Sequence, residues 1–239
     1  MTALVMAMGV LASSDRAASK TRDTVILLHG IGRTSLYMTP IEWSLHRQGY
    51  DVVNLTYPSR RKNIDELTIF LHDRLERESV WNKPGHVHFV THSMGGLVAK
   101  CYLEKYRQEI PDAKMGRVVM IAPPNGGSEV ADFLTGFQPY RWFFGPAGQE
   151  LTTAKQNQNG IKPWYDLGII AGTLGWPYVV GEVLISGEND GLVSVERAKM
   201  AGMKDFVTVK ATHMGVSWRP DVNREIVEFL KNGKFDHET

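Results

Sequence analysis

Three polar residues in this chain, Ser93, Asp190 and His213, are of the types that acyl transfer requires. A serine hydroxyl is a weak nucleophile near neutral pH, so an imidazole within hydrogen-bond reach must take its proton. The imidazole in turn needs a carboxylate that fixes its tautomer and stabilises the imidazolium formed during attack. Ser93 lies in Val90-Thr91-His92-Ser93-Met94-Gly95-Gly96, where an apolar run (Val87, Phe89, Val90) meets a helical run from Leu97 to Tyr106. A sharp strand-turn-helix junction of this kind exposes a serine hydroxyl if the residues two before and two after it are small. Gly95 meets that need, and Thr91 stands where the usual pattern has its first glycine. The same stretch also reads as a serine N-cap on an ordinary helix, and only the rest of the chain separates the two readings.

The surrounding elements must bring the three residues together. Thr24 to Leu28 is a continuous apolar run ending at His29-Gly30, the pattern of a strand buried on both faces. Pro40 to Gln48 has a helical pattern (Ile41, Trp43, Leu45), and Asp51 to Leu55 returns as a strand. Asn63 and Glu66 have capping-box spacing and open a helix with Ile64, Leu67, Leu71 and Leu75 on one face. Further strands are expected at His86 to Val90, Arg117 to Ile121, Val183 to Ser186 and Phe206 to Lys210. Helices are expected from Met94 to Arg107, around Val195 to Met200, and at the end of the chain, where Val222, Ile226, Phe229 and Leu230 face inward before Gly233.

This alternation predicts an α/β fold: a doubly wound, mostly parallel sheet of about six strands with helices on both faces. Ser93, Asp190 and His213 each fall just past the carboxyl end of an expected strand, where the loops of such a sheet form sites. Glu188 and Asp166 are rivals to Asp190. Among the other histidines, His46, His72 and His237 read as surface residues, and His86 and His88 as structural ones, with no metal site expected. His92 adjoins the serine, but neighbouring side chains at such a turn diverge. A negatively charged tetrahedral intermediate also needs preorganised donors, and the backbone N–H groups of Ile31 and Met94 are the candidates. His29 and Gly30, in the loop that carries Ile31, are candidate substrate contacts.

From Asn125 to Pro177 the regularity breaks, and Gly, Pro and aromatic residues accumulate. A lid-like insertion is expected at about 125–180, with Phe137, Trp142 and Phe143 as candidate contacts for an apolar ligand. The alternative is a small extra core at the sheet edge. Residues 23–239 read as a single domain, with 1–22 as an arm or signal-like segment. Ala3 to Ala12 is apolar, but no Lys or Arg precedes Arg16 and the run is too short to span a bilayer, so both export and a cytoplasmic location stay open. With 27 basic against 26 acidic residues, nucleic acid is an unfavoured partner. Cys101 is the single cysteine and excludes an internal disulfide.

With these residues in view the chain resembles the α/β-hydrolase superfamily, in particular its bacterial lipase and esterase branch. The resemblance runs from about Thr24 to Lys231 and rests on His29-Gly30, on His92-Ser93-Met94-Gly95-Gly96, and on the chain order Ser, Asp, His. Ala122-Pro123-Pro124-Asn125-Gly126-Gly127-Ser128 is similar to a Thr-Pro-x-x-Gly-Ser stretch of many lipases, and Asn189-Asp190-Gly191-Leu192-Val193 to their acid-bearing turn. The resemblance implies a minimal six-stranded version of the fold. It also implies hydrolysis of a small-molecule or lipid carboxylic ester through an acyl-enzyme on Ser93, with no cofactor. Acyl transfer to an alcohol by the same residues is an alternative. A non-catalytic binding protein on the same scaffold is another, although its usual sign, a lost member of the trio, is absent here. The natural ester and the oligomeric state are left open.

Overall fold

The computed structural model describes residues 21–156 and 162–237; the arm or signal-like segment falls almost wholly outside them. In chain order the elements are β1 (Thr24–Leu28), α1 (Thr39–Arg47), β2 (Asp51–Leu55), α2 (Ile64–Arg77), β3 (Val87–His92), α3 (Met94–Lys105) and β4 (Met115–Ile121). They continue as α4 (Glu129–Leu134), α5 (Gln138–Gln149), β5 (Leu167–Gly172), α6 (Val179–Leu184), α7 (Val195–Ala198), β6 (Asp205–Val209) and α8 (Pro220–Asn232).

The six strands form one sheet in the order β2-β1-β3-β4-β5-β6, and every pairing is parallel. Side chains alternate across each strand, so β1 sends Ile26 and Leu28 to one face and Val25 and Leu27 to the other. On the first face α2 and α3 cover the sheet through Leu67, Leu71, Leu97 and Tyr102; on the second, α1 and α8 cover it through Ile41, Leu45, Ile226 and Phe229. The capping box is formed: Asn63 Oδ1 accepts from the Glu66 N–H at 2.8 Å, and Glu66 accepts from the Asn63 N–H at 2.9 Å. Gly233 ends α8 with φ 72°, a left-handed conformation that costs glycine little. Winding reverses between β1 and β3, so the loops after these strands flank a crevice at the carboxyl edge.

The fifth strand corrects the sequence reading. It lies at Leu167–Gly172, inside the stretch whose composition reads as irregular, whereas Val183 and Leu184 belong to helix α6. Gly168 explains part of the difference: a Cβ there would lie 2.7 Å from the ring of Phe229, so the strand gives up a β-branched side chain to let α8 approach. Three side chains add detail, and one of them corrects the surface reading of His72. Trp43 is turned to solvent, His72 is half-buried and stacked on Tyr106 at 3.9 Å, and Cys101 is partly buried. Among the described residues no helix is long and apolar enough to cross a membrane.

The start of α3 passes very close to the end of β1. A Cβ added at Gly95 would lie 2.6 Å from the Leu28 carbonyl oxygen and 2.8 Å from that of His29. Gly95→Ala should therefore lower stability by about 1–3 kcal/mol in urea denaturation; an unchanged midpoint would refute the close approach.

Two core imidazoles set a pH dependence. Burial pushes His29 down to about 4, and does the same to His88 against the opposing pull of Asp23. The unfolded chain, whose imidazoles titrate near 6.5, therefore binds protons first as pH falls. Their contribution to stability is complete above pH 6.5 and is lost progressively toward pH 4, by about 2 kcal/mol per ring at pH 5. Urea midpoints measured between pH 7 and 5 should fall accordingly, and a flat profile across that window would contradict the neutral buried rings.

Candidate active site

Ser93 joins β3 to α3 with φ 54° and ψ −128°, a conformation rare outside glycine and costing about 1–3 kcal/mol. The Ser93 N–H donates to the Ile121 carbonyl at 2.8 Å and the Ser93 carbonyl accepts from the Gly96 N–H at 2.9 Å, so both sheet and helix hold it there. Thr91, which replaces the usual first glycine, is fully buried, and its Oγ1 lies 3.3 Å from the position of a Gly96 Cβ.

Three widely separated segments converge on this serine. Ser93 Oγ is 3.0 Å from His213 Nε2, and His213 Nδ1 is 2.7 Å from Asp190 Oδ2. All three side chains are buried. The other carboxylate oxygen of Asp190 accepts from the N–H groups of Leu192 (3.0 Å) and Val193 (2.8 Å), and the Asp190 carbonyl accepts from the His213 N–H at 2.8 Å. The acid and the imidazole are thus tied through both side chain and main chain. Asp190 does not follow a strand directly, as the sequence reading had it; it sits in a turn beyond α6, on the long connection from β5 to β6. The rivals lie elsewhere: Asp166 pairs with Lys204 at 2.6 Å, and Glu188 is exposed.

His92 supports the arrangement from beneath. Its Nε2 donates to the His213 carbonyl at 2.9 Å, and Tyr37 Oη donates to the neighbouring Met214 carbonyl at 2.9 Å. Burial holds the His92 ring well below the ordinary imidazole range, so it stays neutral, and burial raises the Tyr37 phenol to about 12. Neither residue was singled out as a support from sequence, because the contact partner is a main-chain carbonyl far along the chain.

The loop after β1 is fixed in a similar way. His29 stacks on Tyr57 with centroids 4.1 Å apart, donates from Nδ1 to the Gly30 carbonyl at 2.8 Å, and its own carbonyl accepts from Tyr57 Oη. The Gly32 N–H donates to Ser59 Oγ at 3.0 Å. His29 is therefore buried scaffold and does not reach the cavity. The amides of Ile31 and Met94 donate to no backbone or side-chain acceptor among the described residues. Met94 opens α3, where backbone N–H groups are left free and the helix dipole favours negative charge.

Beside Ser93 lies a cavity of about 170 Å³, bounded on one side by Gly30, Ile31 and His213. Its apolar wall is Val130 and Leu134 of α4, Tyr140 and Phe144 of α5, and Leu151 and Leu192. Phe137, Trp142 and Phe143 do not line it: they are 52%, 84% and 48% exposed. Aromatic composition pointed to this segment but could not tell which rings of α5 turn inward. Ser128 was visible only as part of a motif; its Oγ donates to the Leu192 carbonyl at 2.6 Å and accepts from the Ala131 N–H, joining α4 to the acid turn. A larger cavity of about 730 Å³ lies at the amino ends of the strands among Asp23, His88, Arg117 and Asp166, with no serine or cysteine in its wall. No group of three His, Cys, Asp or Glu side chains among the described residues is placed to hold a metal ion.

Comparison with known proteins agrees with this architecture. The mature form of the Bacillus licheniformis lipase BlEst2 is similar at 19% identity, with a TM-score of 0.69 over 90% of this chain and 93% of that one. The metagenomic carboxyl esterase MGS0156 is similar at 18% identity, with a TM-score of 0.62 over 83% of this chain and 66% of that one. The type II thioesterase BorB of the borrelidin biosynthetic cluster is similar at 19% identity, with a TM-score of 0.58 over 91% of this chain and 94% of that one. At these identities the likeness is one of fold. No curated protein matches the sequence. The sequence profile of a family described as "Alpha/beta hydrolase family" matches residues 25–225, and the chain belongs to that family.

Proposed function

We propose that the chain is a serine hydrolase that cleaves carboxylic esters through an acyl-enzyme on Ser93. The observation that carries this reading is the hydrogen-bonded series Ser93 Oγ, His213, Asp190, with links of 3.0 and 2.7 Å, at the wall of an apolar cavity. In the proposed cycle His213 Nε2 takes the Ser93 proton as Oγ attacks the ester carbonyl carbon. The carbonyl oxygen becomes an oxyanion facing the N–H groups of Ile31 and Met94, donors of a kind worth about 3 kcal/mol each. His213 returns its proton to the departing alkoxide as the C–O bond breaks. Water then attacks the acyl carbon, gives a proton to the same imidazole and releases the acid, with Ser93 restored as the hydroxyl. Asp190 holds the imidazole in the tautomer whose Nε2 accepts the proton.

The acyl chain is assigned to the cavity between α4 and α5, whose modest volume suits short to medium chains. A fluorophosphonate probe should label the intact protein and leave Ser93→Ala unlabelled. Asp190→Asn should lower kcat on p-nitrophenyl esters by roughly 10³–10⁴. Ester hydrolysis at the wild-type rate by Ser93→Ala would overturn the reading.

A bulkier ring at the end of α4 provides a second test. Leu134→Trp should shift the optimum across a p-nitrophenyl ester series toward shorter chains, and an unmoved optimum would place the acyl group outside this cavity.

A further inference from the structure

A further cavity, of about 400 Å³, adjoins the one beside Ser93, and Arg33 lines both. Arg60 and Arg61 line the further one with it, beside Thr34, Thr56 and Ser59, and no carboxylate contributes to its wall. Among the described residues none of the three guanidinium groups forms an ion pair. Arg33 has only the Met214 sulfur at 3.5 Å and the face of Tyr37 at 5.7 Å, and Arg60 lies 4.9 Å from the ring centre of Phe143. All three arginines are exposed, and with no carboxylate in the wall an anion entering the groove meets only positive charge. The groove is also anchored to its surroundings. A Cβ added at Gly145, in the bend of α5, would lie 1.8 Å from the Arg60 carbonyl oxygen, so the backbone of Arg60 is packed directly against the helix that walls the acyl cavity.

We propose that this groove binds a phosphate group carried on the leaving part of the substrate, an acyl ester or thioester whose alcohol or thiol is phosphorylated. The position of the anion on the substrate rests on the hydrolase reading. If the acyl chain occupies the apolar cavity and the reacting carbonyl sits at Ser93, the leaving part passes the Ile31–Arg33 loop toward the three arginines. Guanidinium groups present paired N–H donors that match phosphate oxygens, and a phosphate monoester, with a charge of roughly −1.5 to −2 near neutral pH, answers several arginines better than a singly charged carboxylate. The phosphate takes no part in bond changes. The acyl C–O or C–S bond breaks, His213 supplies the proton to the departing oxygen or sulfur, and water supplies the hydroxyl of the released acid.

Two matched substrate pairs test the proposal and separate its possible sources: 1-hexanoylglycerol 3-phosphate against 1-hexanoylglycerol, and S-hexanoyl 4′-phosphopantetheine against S-hexanoyl pantetheine. In at least one pair kcat/KM should favour the phosphorylated member by roughly tenfold or more, mainly through KM. That preference should shrink as sodium chloride is raised, since exposed charges are screened. It should also fall toward unity in the triple variant Arg33→Gln, Arg60→Gln, Arg61→Gln. Ratios near unity in both pairs, or a ratio the triple variant leaves intact, would overturn the groove assignment. Calorimetric titration of Ser93→Ala with glycerol 3-phosphate and with 4′-phosphopantetheine keeps the two readings apart. Binding that the three substitutions abolish, together with no ester hydrolysis by the wild-type protein, supports the groove while removing the hydrolase reading. Hydrolysis of the neutral members with binding of neither phosphate does the reverse.

Discussion

The backbone at residue 93 carries a conformation that a free chain would abandon, and the rest of the fold is arranged so that it cannot. β3 lies between β1 and β4 in the sheet, and the Ser93 amide is held by the end of β4. The first turn of α3 is pressed against the β1 carbonyls, with no side chain at Gly95 to keep it away. Strain of this kind persists only where several neighbours determine the geometry independently. Its result is a hydroxyl held at the carboxyl edge, where the loops from β1 and β6 can reach it.

Two histidines next to the candidate site contribute through fixed tautomers rather than through charge. His29 donates from Nδ1 to its own loop, while His92 donates from Nε2 to the carbonyl of His213. A neutral ring suits this work, because a cation under His213 would disfavour the imidazolium that the proposed cycle needs. The arrangement has a cost: His92 Nδ1 is buried without a partner among the described residues. Such an orphan acceptor is tolerable where the ring's other nitrogen fixes something of value.

Much of this architecture could be read from residue order because the local signals agreed with the global fold. β1 and β2 fall where their apolar runs end, and Asn63 with Glu66 opens α2 as its spacing requires. The trio Ser93, Asp190 and His213 was legible from type and chain order, and the structure places the three within hydrogen-bond reach. β5 was not legible. Its sequence Leu-Gly-Ile-Ile-Ala-Gly keeps β-branched residues only at Ile169 and Ile170, with Gly168 left bare where Phe229 of α8 packs against it, and so short a mark does not stand out within a Gly-, Pro- and aromatic-rich stretch. Val183 and Leu184 carry that mark and yet are helical, since short apolar runs do not reveal their period. Which rings of α5 face inward was equally hidden: Gly145 and Pro146 bend the helix and break the regular spacing from which a face is read.

The uniformly parallel sheet also governs how the chain finds its structure. Among the described residues no two strands are joined by a hairpin; every pairing, from β1 with β2 to β5 with β6, closes a loop that contains at least one helix. Ordering entropy must therefore be spent before the first ladder forms, and early contacts come from helices that do not yet have a sheet to cover. A chain built this way folds slowly for its length and exposes β-prone segments such as Thr24–Leu28 and Val87–His92 while it does so. Recovery from denaturant should accordingly depend on protein concentration, with dilution favouring the native state over association.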